Sequence, residues 1–129
     1  MLALSIVAPG GQRIAEGRKT LEIRSWRPDH LPVLDLLIVE NHKYLTQAGD
    51  SDPEGRIVAI VDVIDVRLWL DTDMEAACAS RWQPGYWAWS LANMRAVAID
   101  LRVPAERGLY ELTIDPSIEA RILALQAGR

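Results

Sequence analysis

The hydrophobic pattern divides the chain into short elements. Residues 2–7 form an apolar run of the length of one buried strand. Residues 9–17 read as a compact helix, with Ile14 and Ala15 facing inward and Gly17 where a C-terminal cap belongs. Residues 20–26 alternate polar and apolar positions, the period of a half-buried strand. Leu21 and Ile23 share one face of it, and Thr20, Glu22, Arg24 and Trp26 share the other. A proline-containing turn at Arg27-Pro28 leads to a strand at 34–39, and the polar segment 40–54, with Asp50-Ser51-Asp52-Pro53, reads as a loop.

Gly55 introduces the longest apolar segment, 56–68, broken by Asp62 and Asp65. A strand of that length has to bend or bring one edge to solvent. Thr72-Asp73-Met74-Glu75 has the spacing of a capping box and predicts a helix to about Ser80. Gln83-Pro84-Gly85 turns into a strand at 86–94, with Trp87, Trp89 and Leu91 on one face and Tyr86 and Ser90 on the other. Residues 95–101 extend the sheet, Val103-Pro104 turns, and 109–113 forms a last strand. Asp115-Pro116 places a cap before a proline suited to the first helical position. The terminal helix, 115–127, then carries an apolar stripe of Ile118, Ile122 and Leu125. About six strands and about three short helices, mostly without crossovers, predict an α+β fold built on a small, mainly antiparallel β-barrel.

The length of 129 residues, half of them hydrophobic and a quarter charged, fits one domain spanning 1–129 and excludes disordered or fibrous classes. There is no Phe, so the core is expected to be aliphatic, yet five of the eight aromatics are Trp. The net charge of −4 argues against non-specific wrapping of DNA. Charge is nonetheless uneven. Residues 13–27 hold Arg13, Arg18, Lys19, Arg24 and Arg27 against Glu16 and Glu22, a local +3 that leaves −7 for the rest. The segment is either an anion-facing site or a solvated basic edge that discourages aggregation.

The single cysteine, Cys78, allows no intramolecular disulfide, fits a reducing compartment, and reads as a small core residue in an Ala-rich stretch. His30 and His42 lack Cys neighbours at zinc spacing, and Asp62 and Asp65 point to opposite faces, so no metal is expected. No Gly-rich phosphate loop or nucleophile elbow is present, and no cofactor is expected. Residues 1–7 lack a basic leader and run into Pro9-Gly10-Gly11, unlike a secretory signal. No apolar run reaches the roughly 20 residues of a membrane helix. A cytoplasmic protein is the expectation.

The chemistry concentrates in Gly17-Arg18-Lys19-Thr20-Leu21-Glu22-Ile23-Arg24-Ser25-Trp26. Arg24 offers a planar fork of donors to a phosphate or carbonyl oxygen. Trp26 can stack on a base. Glu22 can accept from an exocyclic amine or act as a general base, and Lys19 becomes a base or nucleophile where burial lowers its pKa. The competing account is a solvent-exposed strand whose ion pairs carry little energy. The indoles of Trp87 and Trp89 read as core, with Tyr86 and Ser90 facing a cleft. Asn41-His42-Lys43-Tyr44 reads as a polar loop, with the lining of a pocket mouth as the alternative.

These residues resemble the ASCH domain, named for activating signal cointegrator-1 homology. The likeness runs from Leu4-Ser5-Ile6 and Pro9 through Ile14-Ala15-Glu16 and the ten-residue string above. It continues through Leu36-Leu37-Ile38, Gly55-Arg56-Ile57-Val58-Ala59 and Tyr86-Trp87-Ala88-Trp89-Ser90-Leu91 to Gly108-Leu109-Tyr110. The resemblance implies a PUA-like barrel and RNA-related work, with the ligand cleft beside the basic string. It implies binding of RNA or a modified nucleotide by Arg18, Arg24, Ser25, Trp26, Tyr86 and Ser90, with Lys19 and Glu22 as the catalytic candidates if a reaction occurs. Some small bacterial members hydrolyse the amide of N4-acetylcytidine, and RNA cleavage is also associated with the family. An enzyme of this kind would be a metal-independent hydrolase, either ribonuclease or amidohydrolase. In the amidohydrolase members a Lys, a Thr three residues later and a distant Glu form the catalytic set. Lys19 matches that Lys, but Glu22 stands where the Thr belongs, so the hydroxyl is missing there. The Glu22-Ile23-Arg24-Ser25-Trp26 form is similar to the coactivator-like branch, where nucleic-acid binding is the expected role. A protein-interaction module is the third reading.

Overall fold

The structure is a computed structural model that describes residues 1–127, with side chains described to residue 123. In chain order the elements are β1 (Leu2–Val7), α1 (Gly10–Ala15), β2 (Leu21–Arg24), β3 (Val33–Asn41), β4 (Ser51–Leu68), β5 (Trp87–Ala96), β6 (Arg102–Glu106), β7 (Leu109–Glu111) and α2 (Pro116–Ala127). One sheet contains all seven strands, in the order β2-β5-β4-β3-β1-β7, and β6 pairs with β4 beside that path. The pairings are antiparallel except for β1 with β3, and the chain between those two strands runs through α1 and β2. No helix among the described residues is long and apolar enough to cross a membrane.

The central strands are apolar on both sides because both sides are covered. On one face Leu4, Leu36, Ile38, Val61 and Trp89 pack with Ile14 of α1. On the other, Leu37, Val39, Ile57, Ile60 and Val103 pack with Ile122 of α2. Asp115 caps α2 as its sequence predicts, its carboxylate accepting from the Ser117 amide at 2.8 Å. Leu125, the last residue of the expected stripe, lies outside the described side chains. Gly55 is required by packing: a Cβ there would stand 2.6 Å from the Val103 carbonyl and 2.8 Å from a Val39 methyl.

Several expectations are corrected: residues 51–54, expected as loop, open β4, and the sheet extension expected over 95–101 stops at Ala96. The sheet does not close into a barrel, since β2 and β7 end the path and no ladder joins them among the described residues. The helix expected at 72–80 is a single 3-10 turn, Asp71–Asp73, so the described residues hold two α-helices, not three. Thr72 is not its cap; the Asp73 carboxylate accepts from the Leu70 amide at 3.1 Å and is gripped by Arg67 at 2.6 Å. Finally, Val103-Pro104 is not a turn but part of β6. A proline is tolerated there because β6 pairs with β4 alone, leaving its other edge without a ladder.

The long β4 bends as its length demands. Its register slips against β3 near Asp35 and against β5 around Asp62 and again before Asp65. Asp35 and Asn93 adopt left-handed backbone, φ 53 and 51, which short polar side chains tolerate best. Buried Asp62 holds these irregularities together. It accepts from the Asp35 amide at 3.0 Å, from Asn93 at 2.8 Å and from Arg95 at 2.9 Å, while Arg95 also reaches Asp35 at 2.9 Å. Burial pushes the Asp62 carboxyl up, but these donors and the Arg95 charge outweigh it and hold it below the ordinary carboxylate range. Replacing Asp62 by Asn should cost about 2–4 kcal/mol, because Arg95 and two donors lose their shared anion. Exposed Asp65→Asn should change stability by less than about 0.5 kcal/mol. Urea unfolding of the two variants checks the contrast.

Candidate functional site: a basic cleft in the open side of the sheet

On the open side of the sheet lies a cleft of about 440 Å³. β2 forms one wall through Glu22, Ile23 and Arg24, and β1 forms the other through Ser5, Ile6 and Val7. Arg13 of α1, Cys78 and the β6–β7 turn at Glu106, Arg107 and Gly108 complete it. The ionic lining is four cations, Arg13, Lys19, Arg24 and Arg107, against two carboxylates, Glu22 and Glu106.

Local geometry explains how Lys19 arrives there. Gly17 has a φ of +77, which ends α1. The Arg13 carbonyl then takes the amides of both Arg18 and Lys19, at 2.9 and 3.1 Å, and turns the chain into β2. The Lys19 side chain folds inward, is 9% exposed, and donates to the Ala77 carbonyl at 2.9 Å. Its Nζ lies 3.4 Å from Oε1 of Glu22. The other carboxylate oxygen, Oε2, lies 3.4 Å from the Arg24 guanidinium. The same nitrogen of Arg24 donates across the gap to the Ser5 carbonyl on β1, at 2.9 Å. One buried anion therefore sits between two cations, and one of those cations ties the edge strand β2 to β1 across the cleft.

Burial pushes the Glu22 carboxyl up, but the charges of Arg24 and Lys19 and the hydrogen bonds from the Ile23 amide and Arg24 prevail. The net effect holds it below its ordinary value, so Glu22 is an anion at neutral pH. Such a carboxylate accepts hydrogen bonds well and is a weak base.

The structure brings together three of the sequence-predicted residues, Lys19, Glu22 and Arg24. Trp26 lies next door: it lines an adjoining groove with Arg24 and Arg107, and its ring meets Trp89 edge-on at 5.0 Å. Arg18 is exposed, 3.7 Å from Glu16, and Ser25 is exposed beyond the end of β2; neither lines the cleft. Ser90 stands opposite Leu21 in the β2–β5 ladder, and Tyr86 lines a separate hollow with Trp69 and Trp82. Cys78 is half-buried in the cleft wall rather than part of the core. Arg107 and Ser5, which the sequence did not mark as site residues, line the cleft, as do Asn41 and Tyr44, whose alternative reading is a pocket mouth. Nothing local distinguishes Arg107 and Ser5; strand order alone carries them there. No cluster of potential metal ligands occurs among the described residues.

An open, mostly antiparallel sheet with a basic cleft at its unclosed side is thus the setting of the Gly-Arg-Lys-Thr string. The sequence profile of the ASCH domain matches residues 4–100, and the chain belongs to the ASCH domain family. Among solved structures, a tyrosine-to-phenylalanine variant of ZmASCH from Zymomonas mobilis is similar at a TM-score of 0.56 and 14% identity, over 96% of each chain. A serine-to-alanine variant from the same organism gives a TM-score of 0.48 at 11% identity, over 96% of this chain and 94% of that one. The first likeness shows the fold. Comparison with curated proteins gives no match.

The stability that Glu22 contributes has a defined pH course. A carboxyl whose folded-state pKa is lowered contributes fully above its ordinary value of 4.5, and that contribution is lost as the pH falls through the folded-state value. Glu22→Gln should therefore be less stable than wild type by about 3 kcal/mol at neutral pH, with the gap closing in acid. Denaturant midpoints across the acid range check both the size and the direction.

Proposed function

We propose that this ASCH domain binds RNA, seating one nucleotide in the cleft between β1 and β2. The observation that carries the reading is charge: a chain of net −4 lines this hollow with four cations and two carboxylates. Two of those cations, Arg13 and Arg107, make no salt bridge among the described residues and are available to phosphates.

The residues divide the work by chemistry. One guanidinium nitrogen of Arg24 is committed to Ser5 and Glu22, and its other donors are left for a phosphate or a base edge. Glu22, held as an anion, accepts from an exocyclic amine. Trp26 on the adjoining groove and Tyr44, 79% exposed at the mouth, offer rings for stacking. Lys19 is spent on Ala77 and Glu22, which makes it a positioning residue for that carboxylate in this reading.

The second reading, hydrolysis of RNA or of a modified nucleoside such as N4-acetylcytidine, rests on the buried Lys19–Glu22 pair as proton carriers. Binding stands first because a carboxylate held ionised is a weak base.

Affinity for single-stranded RNA should fall with salt, with a log–log slope of about −0.7 for each phosphate neutralised. Arg107→Ala should reduce that slope by one such step, and Arg24→Ala should weaken binding about tenfold or more. Affinity that ignores salt and both substitutions contradicts the proposal. Mass analysis of the same mixtures, and of N4-acetylcytidine incubated with wild type and Lys19→Ala, separates binding from turnover. Product from wild type alone moves hydrolysis to first place.

A further inference from the structure

A second hollow lies beside the first. Ile23 of β2 lines the basic cleft and also, with Trp69, Arg81, Trp82, Gln83 and Tyr86, a separate hollow of about 470 Å³. An edge strand is about 5 Å wide, less than the reach of one nucleotide along a strand.

The hollow is organised for a flat ligand. Trp82 is 38% exposed, yet its indole is fixed, because Nε1 donates to the Trp69 carbonyl at 3.2 Å. The two rings lie 6.4 Å apart at 54°, forming an open wedge. Trp69 is 6% exposed, and its own Nε1 is buried with no hydrogen-bond partner, a costly state for a donor. Arg81 is exposed and makes no salt bridge among the described residues. An aromatic wall and a free cation match two parts of a nucleotide, the base face and the phosphate.

We propose that this hollow is a second nucleotide subsite, in which a base of the same single-stranded RNA stacks on Trp82 and its phosphate meets Arg81. The proposal rests on the RNA reading of the cleft, and it extends the footprint across the edge of β2. Tyr86 belongs to this subsite rather than to the cleft. An apolar peptide would cover the rings but leave Arg81 unmatched.

Calorimetric titration with a mononucleotide and with a single-stranded RNA of about eight nucleotides tests this. Trp82→Ala should weaken the longer RNA by about 5- to 150-fold and leave the mononucleotide unchanged. Arg81→Gln, at an exposed position with no salt bridge among the described residues, should weaken only the longer RNA as well. Trp82→Phe, which keeps a ring, should restore most of the loss. Equal affinity of wild type, Trp82→Ala and Arg81→Gln for the longer RNA overturns the subsite and leaves the cleft reading standing. No binding of the longer RNA by wild type overturns both.

Discussion

The cleft depends on one buried carboxylate. Glu22 is almost fully withdrawn from water, and an isolated anion there would be unstable. It persists because Lys19 and Arg24 flank it and the Ile23 amide donates to it. That arrangement has a second consequence, since Arg24 is also the bridge to the Ser5 carbonyl on β1. The ion cluster thus links β2 to β1 in a sheet that never closes. The cleft is the space this leaves, and its charge is what remains after the inner carboxylate has been neutralised.

The opening depends in turn on the curvature of the sheet. β4 pairs with three strands and slips register against each of them. The Asp62 cluster fixes two left-handed residues and the bend beside them, with Arg95 spanning from β5 to β3. A flat sheet would carry β2 away from β1, and the Arg24 bridge would have nothing to reach. Two buried acids therefore do related work: Asp62 shapes the sheet, and Glu22 uses the shape.

The local pattern carried most of the strands and the ion cluster. Alternation at 20–26 put Glu22 and Arg24 on one face of β2, and the structure places them together in the cleft. It carried less where tertiary partners decide. The Thr72 capping box lost to Asp73, which the neighbouring Arg67 holds in place. Pro104 signalled a turn, but an edge strand with one free side accepts it. Barrel closure was unreadable because it depends on where the path ends, and no residue encodes that alone. Arg107 was hidden for the same reason, being far from β2 in sequence and brought to it by strand order. Trp87 and Trp89 resisted a simple division into core and ligand: Trp89 is fully buried, whereas Trp87 carries the Arg27 guanidinium 4.9 Å above its ring.

The most direct test of the cleft is an NMR map of the isotopically labelled protein titrated with short single-stranded RNA. The account predicts the largest shifts at Ser5, Lys19, Glu22, Ile23, Arg24 and Arg107, with the side-chain signals of Arg24 among them. Residues on the far face, such as Ile99, should stay still. Shifts confined to that far face, or none at concentrations that saturate binding, would contradict the claim that the open side of the sheet is the nucleic-acid site.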